Sequence, residues 1–411
     1  MSTQPHTVAT APPFDALNPY PWFAWMRQHE RVYQDPDTHL WYVFGYHDVL
    51  RVLNPPLKPT AENPIVFSSQ LPIGAEHATT QGSILFTDPP RQRAIRDLLT
   101  PAFSPKALQD RYAACITSII DELLDQVIDA GEMDVVATLA YAIPVMVIAE
   151  LLDVPKEDRK AIQHLVIKSF RLVKMEGASL AHRVPELEQY FWQTLAQRRQ
   201  HPPEDHPDLI TTLVHGCPHD GVALNEAELL GNCELLLIAG SETTAHLLTN
   251  LFRVLDAFPE VQQQVWQNPA LVSALIEETL RYLSPIHFNP HLTTRGAELG
   301  GRVIPENQVV MPLLASANRD EQVFARGESF ELMRFANTAP NHVAFGFRGT
   351  HFCLGAPLAR LEANLMMQRL IACMEQIHLV PGVSLKPRPS GFGMVPANSG
   401  VQSLPVTFKR R

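Results

Sequence analysis

A single cysteine, Cys353, lies in the stretch FGFRGTHFCLGAPLAR at residues 345–360, and it constrains this chain more than any other feature. Glycines and aromatics lead into it. Leu354, Gly355, Ala356 and Pro357 then open what reads as a helix through Leu358, Leu361 and Leu365. A cysteine at a helix N-terminus faces unpaired backbone N–H groups and the positive end of the helix dipole, which favour the thiolate. No second cysteine stands at metal-finger spacing. A thiolate offered alone on a glycine-rich loop suits one axial ligand to a haem iron. The competing reading is a buried structural cysteine, the common fate of a free Cys.

Composition narrows the field. With 411 residues, 45% of them hydrophobic, the chain can bury a large core. Residues 1–13, with Thr, Pro and Ala, read as a flexible N-terminal segment, and 14–411 as one domain. A net charge of −10 argues against nucleic acid as a partner, because phosphate binding needs a basic surface. The opening MSTQPHTVATAPPFDALNPYPW has no basic leader and no apolar run, so no signal peptide is expected. Apolar stretches such as LLLIAG at 235–240 are too short to span a bilayer. Five cysteines, at 115, 217, 233, 353 and 373, form no disulfide framework, which points to a reducing cytoplasm.

Helix signals dominate. Asp88–Pro89 and Ser104–Pro105 each read as an N-cap followed by a first-turn proline. The second opens a helix with Leu108, Tyr112, Ile116, Ile119, Leu123 and Val127 on one face. Asn225 with Glu228 makes a capping-box pattern, and its helix runs to about Phe258, where Pro259 stops it. Asn268–Pro269 starts another, carrying Glu278 and Arg281. Strands are expected at 39–45 and 403–408, with a hairpin at 301–312 turning on Pro305 and Asn307. The fold class is mainly α with small segregated β-sheets, α+β in the loose sense.

Two further motifs carry chemistry. AGSETT, Ala239 to Thr244, places a glycine, and an acid beside two threonine hydroxyls, inside an apolar helix. One reading is a local opening of the helix where Glu242 and Thr243 relay protons to a bound oxygen species. The other is that Glu242 is solvated and the threonines bond back to their own helix. Glu278 and Arg281, at i,i+3, share a helix face and can form a bidentate pair. Such pairs usually decorate surfaces. Buried, with Arg334 as third member, the pair would fix the loop below a cofactor.

AGSETT, Glu278-x-x-Arg281, ANRD at 317–320 and the cysteine loop stand in the order and rough spacing of the cytochrome P450 superfamily. The chain resembles its soluble bacterial branch from DPPRQRAIRDLLTPAFSP at 88–105 to LPV at 404–406. The resemblance implies protohaem (heme b, iron protoporphyrin IX) held between the long distal helix and the cysteine loop. It makes Cys353 the proximal thiolate and puts Gly240, Glu242 and Thr243, with Ala239, on the distal side. Arg96 and His351 would pair with the propionates, and Phe345, Gly349 and Gly355 would shape the loop. Glu278, Arg281 and Arg334 would be structural.

The sequence departs from the family pattern in three places. Phe347 and Arg348 separate Gly346 from Gly349 where the family has one residue, so an extra side chain is expected against the proximal face, with the haem seated the other way up. Gln92 stands where a histidine is usual, and His291 where an arginine is, which removes a permanent charge from propionate pairing. Ile84, Leu85, Phe86, Leu236, Ala239, Ile286, Phe288 and Met394 would make an apolar distal pocket, with His287 and Asn289 as polar handles.

The expected activity is a monooxygenase that inserts one atom of dioxygen into a hydrophobic small molecule. No GxGxxG fingerprint or cysteine cluster is present, so electrons are expected from a ferredoxin or flavodoxin with its NAD(P)H reductase. Arg91, Arg93 and Arg348 would form a basic dock, unless they are scattered solvated arginines. A peroxide-dependent peroxygenase is the alternative enzyme. A haem-thiolate sensor or binding protein is the alternative without catalysis.

Overall fold

The computed structural model describes residues 11–56, 58–71, 82–176, 184–200, 208–216, 222–336, 340–388 and 395–411. Met394 and residues 1–10 therefore lie outside the described residues.

Two helix starts follow the expected capping chemistry. The Ser104 hydroxyl accepts from the Ala107 N–H and opens the helix Pro105–Leu124, which buries Leu108, Tyr112, Ile116, Ile119, Ile120 and Leu124. This helix ends before Val127. Asn225 and Glu228 form a full capping box, each side chain accepting from the other's backbone N–H. They open the central helix Glu226–Ala257, whose 32 residues extend for about 48 Å. Pro259 does stop it, and is also the first residue of the next helix, Pro259–Gln267.

Asp88 does not cap a helix. The helix Arg91–Leu99 starts from Pro90 with no side-chain cap. The Asp88 carboxylate is taken instead by Ser68 Oγ at 2.5 Å, and by Ser69 N and Oγ at 3.0 and 2.8 Å. These three donors, from Ser68 and Ser69, occupy the carboxylate in place of the helix end.

The strands form three separate sheets. The largest runs, in spatial order, through Val32–Gln34, Trp41–Val43, Val309–Pro312, His291–Thr293 and Phe67–Ser68. Met374–Leu379, Pro405–Arg410 and Glu132–Asp134 make a second, with Pro405–Arg410 in the middle. The expected hairpin at 301–312 does not form. Arg302–Ile304 pairs with Ala297–Leu299, while Val309–Pro312 pairs parallel to Trp41–Val43 and antiparallel to His291–Thr293. The buried Val310 and Met311 are better covered in the middle of the larger sheet than in a two-stranded ribbon.

The cysteine helix Ala356–Cys373 packs against Pro105–Leu124, against Val272–Tyr282 and against the central helix. Its buried Leu358, Met366, Met367, Leu370 and Ile371 belong to the main core. Each fully buried side chain of this size contributes roughly 1.5–3 kcal/mol. The start of the cysteine helix is thus fixed relative to the central helix. No helix among the described residues is long and apolar enough to cross a membrane.

Candidate active site

A cavity of about 350 Å³ separates the cysteine loop from the central helix. Phe345, Phe347, His351, Cys353, Gly355 and Leu358 border it on one side. Ala239, Gly240, Glu242, Thr243 and Thr244 border it on the other. Arg96 and Gln92 reach it from the helix Arg91–Leu99.

Cys353 is partly exposed because it faces this space. Its backbone N–H donates to Phe345 O at 2.9 Å, which ties the ligand position to the start of the loop. Burial among protein atoms pushes the thiol above its ordinary value; the Gly355 and Ala356 N–H groups, Arg96 and Arg360 act against that. Desolvation therefore outweighs the helix-end effect read from the sequence, and a bound metal cation would stabilise the thiolate.

The central helix runs unbroken through AGSETT. The expected local opening is absent, and the Ser241 and Thr243 hydroxyls bond back within the helix: Ser241 Oγ to Leu237 O at 2.6 Å and Thr243 Oγ1 to Ala239 O at 2.8 Å. Thr243 thus presents an oxygen lone pair to the cavity. The glycine has a packing reason, since a Cβ at Gly240 would come within 2.6 Å of Ile148 Cδ1. Glu242 Oε1 lies 3.7 Å from His246 Nε2 and 3.8 Å from Arg388 Nε.

Arg96 is half-buried with no ion pair among the described residues, its Nη1 donating to Thr350 O at 3.4 Å. Gln92 Nε2 donates to the same carbonyl at 3.0 Å, while its Oε1 is buried without a partner among the described residues. His351 Nε2 lies 3.1 Å from Ser69 Oγ. Because Ser69 spends its hydroxyl hydrogen on Asp88, its oxygen accepts and His351 Nε2–H donates. Burial pushes His351 down to about 4, with His291 and Arg96 adding to it and Asp88 opposing. Arg96 is thus the permanent cation of this wall. The unpaired guanidinium fits the carboxylates of a haem; the neutral imidazole, its one hydrogen given to Ser69, can donate to them only after taking up a second proton, which those carboxylates would favour.

Several expected residues fall elsewhere. His291 does not line the cavity; its Nδ1–H donates to Asn289 O at 3.0 Å, and burial lowers its pKa. His287 turns away as well: Nδ1–H donates to Pro396 O at 3.0 Å, and burial holds it down at about 3. Asn289 does line the cavity, with Ile84, Leu85, Phe86, Leu236, Ile286 and Phe288. In the lengthened loop the Gly349 N–H donates to Phe347 O, closing a tight turn that puts Arg348 into solvent and Phe347 against the cavity. Gly349 itself has no room for a Cβ, which would sit 2.5 Å from Asn54 Oδ1.

Arg91 is no free docking cation, because it pairs bidentately with Glu228 at 2.6 and 2.7 Å and also holds Ala223 O. Arg93 faces Asp97 at 3.8 Å on the surface. Glu278, Arg281 and Arg334 do meet, fully buried or nearly so: Arg281 donates twice to Glu278, at 2.6 and 2.8 Å, and Arg334 once, at 3.1 Å.

The sequence model described as Cytochrome P450 matches residues 61–401. The chain belongs to the cytochrome P450 family. Cytochrome P450 109 of Bacillus spizizenii is 38% identical over 413 residues, covering 96% of this chain and 93% of that protein. The cyclomarin C epoxidase of Salinispora arenicola is 36% identical, covering 94% and 95%. Among solved structures, a Bacillus megaterium cytochrome P450 in complex with testosterone superposes with a TM-score of 0.81 at 33% identity, covering 95% of this chain and 98% of that one. The cytochrome P450 described here is accordingly a haem-dependent oxidoreductase of the bacterial monooxygenase family.

The sequence reading gave no role to Ser69, Glu277, His342 or Arg360, and took Asp88 only for a helix cap. Ser69 contacts His351 across 282 positions, and no local pattern announces such a contact.

Proposed function

We propose that this cytochrome P450 inserts one atom of dioxygen into a neutral or weakly polar hydrophobic molecule, with electrons from a separate ferredoxin or flavodoxin and its NAD(P)H reductase. The observation that carries this reading is one cavity bordered by a lone cysteine on one side and an acid–alcohol pair on the other. Its apolar wall, from Ile84 and Phe86 to Ile286 and Phe288, favours apolar substrates, and Asn289 offers one polar contact. The bound haem supplies the oxygen chemistry, with Cys353 as its thiolate ligand.

The chain's own residues have defined tasks in this scheme. Arg96 and Gln92 would hold the cofactor's carboxylates, joined by His351 once their charge has brought a second proton onto its ring. Glu242 holds a proton at a carboxylate oxygen and passes it toward the cavity. Thr243, whose hydrogen is on Ala239 O, accepts a hydrogen bond from a proton-bearing group there. The apolar lining excludes bulk water.

Carbon monoxide added to the reduced protein gives the strongly red-shifted Soret band of a thiolate-ligated haem. Its absence from folded, haem-loaded protein overturns the reading. Substrate-induced spin shifts across a compound library then identify the substrate class. Thr243→Ala is expected to lower the share of reducing equivalents reaching product by about 10-fold, with hydrogen peroxide making up the difference. Intact coupling removes Thr243 from the proton route.

Ser69→Ala cuts the link between His351 and Asp88. Haem transfer to an excess of an apo acceptor protein is expected to accelerate about 10-fold, as for other outer partners of a ligand. An unchanged transfer rate means His351 needs no such anchor.

A further inference from the structure

Beneath the cysteine loop lies a second polar cluster that the activity described above does not use. Glu277, on the helix Val272–Tyr282, accepts from Arg360 Nε at 2.6 Å and from Arg360 Nη2 at 2.9 Å. His342 Nε2 lies 3.1 Å from Glu277 Oε2. The Ala344 N–H donates to His342 Nδ1 at 3.3 Å, so Nδ1 is the acceptor and Nε2 carries the hydrogen donated to Glu277. Burial alone would raise the Glu277 carboxyl, but the bonds from Arg360 and His342 bring it down to about 2.

This cluster touches the ligand loop at one residue. The Arg360 guanidinium stands 4.5 Å above the Phe345 ring, and the His342 ring lies 6.2 Å from it. Phe345 borders the cavity, and its carbonyl accepts the Cys353 N–H at 2.9 Å. Arg360 also acts on the sulfur through its charge, favouring the thiolate. Its side chain is 36% exposed, Glu277 27% and His342 6%, so the ion pair has one face in solvent and the imidazole has none.

We propose that Glu277, His342 and Arg360 are positioning residues that fix Phe345 and balance the charge beside the cysteine ligand, and so set the reduction potential of the cytochrome. This rests on Cys353 being the haem ligand. Two effects act together. The bidentate pair and the His342 bridge hold Arg360 in one place over the Phe345 ring, so the carbonyl that receives the Cys353 N–H stays put. The opposite charges of Glu277 and Arg360 nearly cancel at the haem. Removing either one leaves the other uncompensated, and the two removals have opposite signs.

Reduction adds negative charge, so a bare Arg360 favours it and a bare Glu277 opposes it. Glu277→Gln is therefore expected to raise the reduction potential, and Arg360→Gln to lower it. Each shifts the ratio of reduced to oxidised protein at fixed applied potential by about 10-fold, the scale of one unit charge at about 10 Å in a protein dielectric. The Glu277→Gln, Arg360→Gln double variant should return close to the parent. Arg360→Lys keeps the charge and loses the fork, so its potential stays near the parent's while haem loss quickens several-fold.

All variants are compared as haem-loaded protein by redox titration followed in the visible spectrum. A thiolate-type Soret band in each carbon monoxide complex shows that Cys353 ligation stands independently of the outcome. Opposite shifts from the two single variants support the clamp. Unmoved potentials, or shifts in the same direction from both, overturn it, because a loop merely loosened lets water in and moves both the same way. If Glu277→Gln fails to fold, Arg360→Gln against Arg360→Lys still separates charge from packing.

Discussion

Cys353→Ser is expected to abolish the red-shifted Soret band of the reduced carbon monoxide complex and to lower turnover by about 100-fold or more. A hydroxyl in place of the sulfur keeps the size of the side chain, so the cysteine helix and its buried leucines and methionines need not move. What changes is the donor: an alcohol is far less acidic than a thiol and pushes little electron density onto a metal. The alternative reading of Cys353, a structural cysteine, predicts a different pattern. A small buried thiol replaced by serine costs stability and leaves the spectrum of any bound haem unchanged. A parent-like spectrum and turnover in the serine variant would falsify the whole functional reading.

The site was legible in the sequence where its chemistry is local. Cys353, Glu242, Thr243 and Arg96 belong to short motifs, and all four border one cavity. Capping was legible for the same reason, since Ser104 and Asn225 act within three residues. Asp88 misled because its sequence neighbours look like a cap while its donors are Ser68 and Ser69, 20 and 19 positions away. The Val309–Pro312 strand misled similarly: the turn at Asn307 is real, with φ of 59°, but the partner strands come from Trp41–Val43 and His291–Thr293. His287 stands between Ile286 and Phe288, which both line the cavity, yet its Nδ1–H goes to the carbonyl of Pro396, 109 positions on. Periodicity reports which face is buried, and only tertiary contacts decide which buried groups reach the cavity.

Arg281→Ala is expected to cost about 3–5 kcal/mol, the range for breaking a buried ion pair by removing one partner. That is a large fraction of the roughly 5–15 kcal/mol by which a typical domain is stable. Arg281 is fully buried, and its five donors are all committed: two bonds to Glu278, and one each to Asn318 O at 3.0 Å, Gly327 O at 2.7 Å and Ser329 O at 2.8 Å. Alanine leaves the Asn318 and Gly327 carbonyls without this donor, Ser329 O with Arg334 Nη2 alone, and Glu278 with Arg334 and the Glu331 N–H. Those carbonyls belong to the segments 318–329 that lead into the cysteine loop, so haem loading should fall along with stability. Arg281→Lys does not rescue, because a single ammonium with three donors cannot span a carboxylate and three separate carbonyls. The exposed pair Lys106–Asp110 is the control: Lys106→Ala should leave the urea midpoint unmoved. A parent-like urea midpoint and haem content for Arg281→Ala would show that the buried network is dispensable and that the loop beneath the cofactor is held by packing alone.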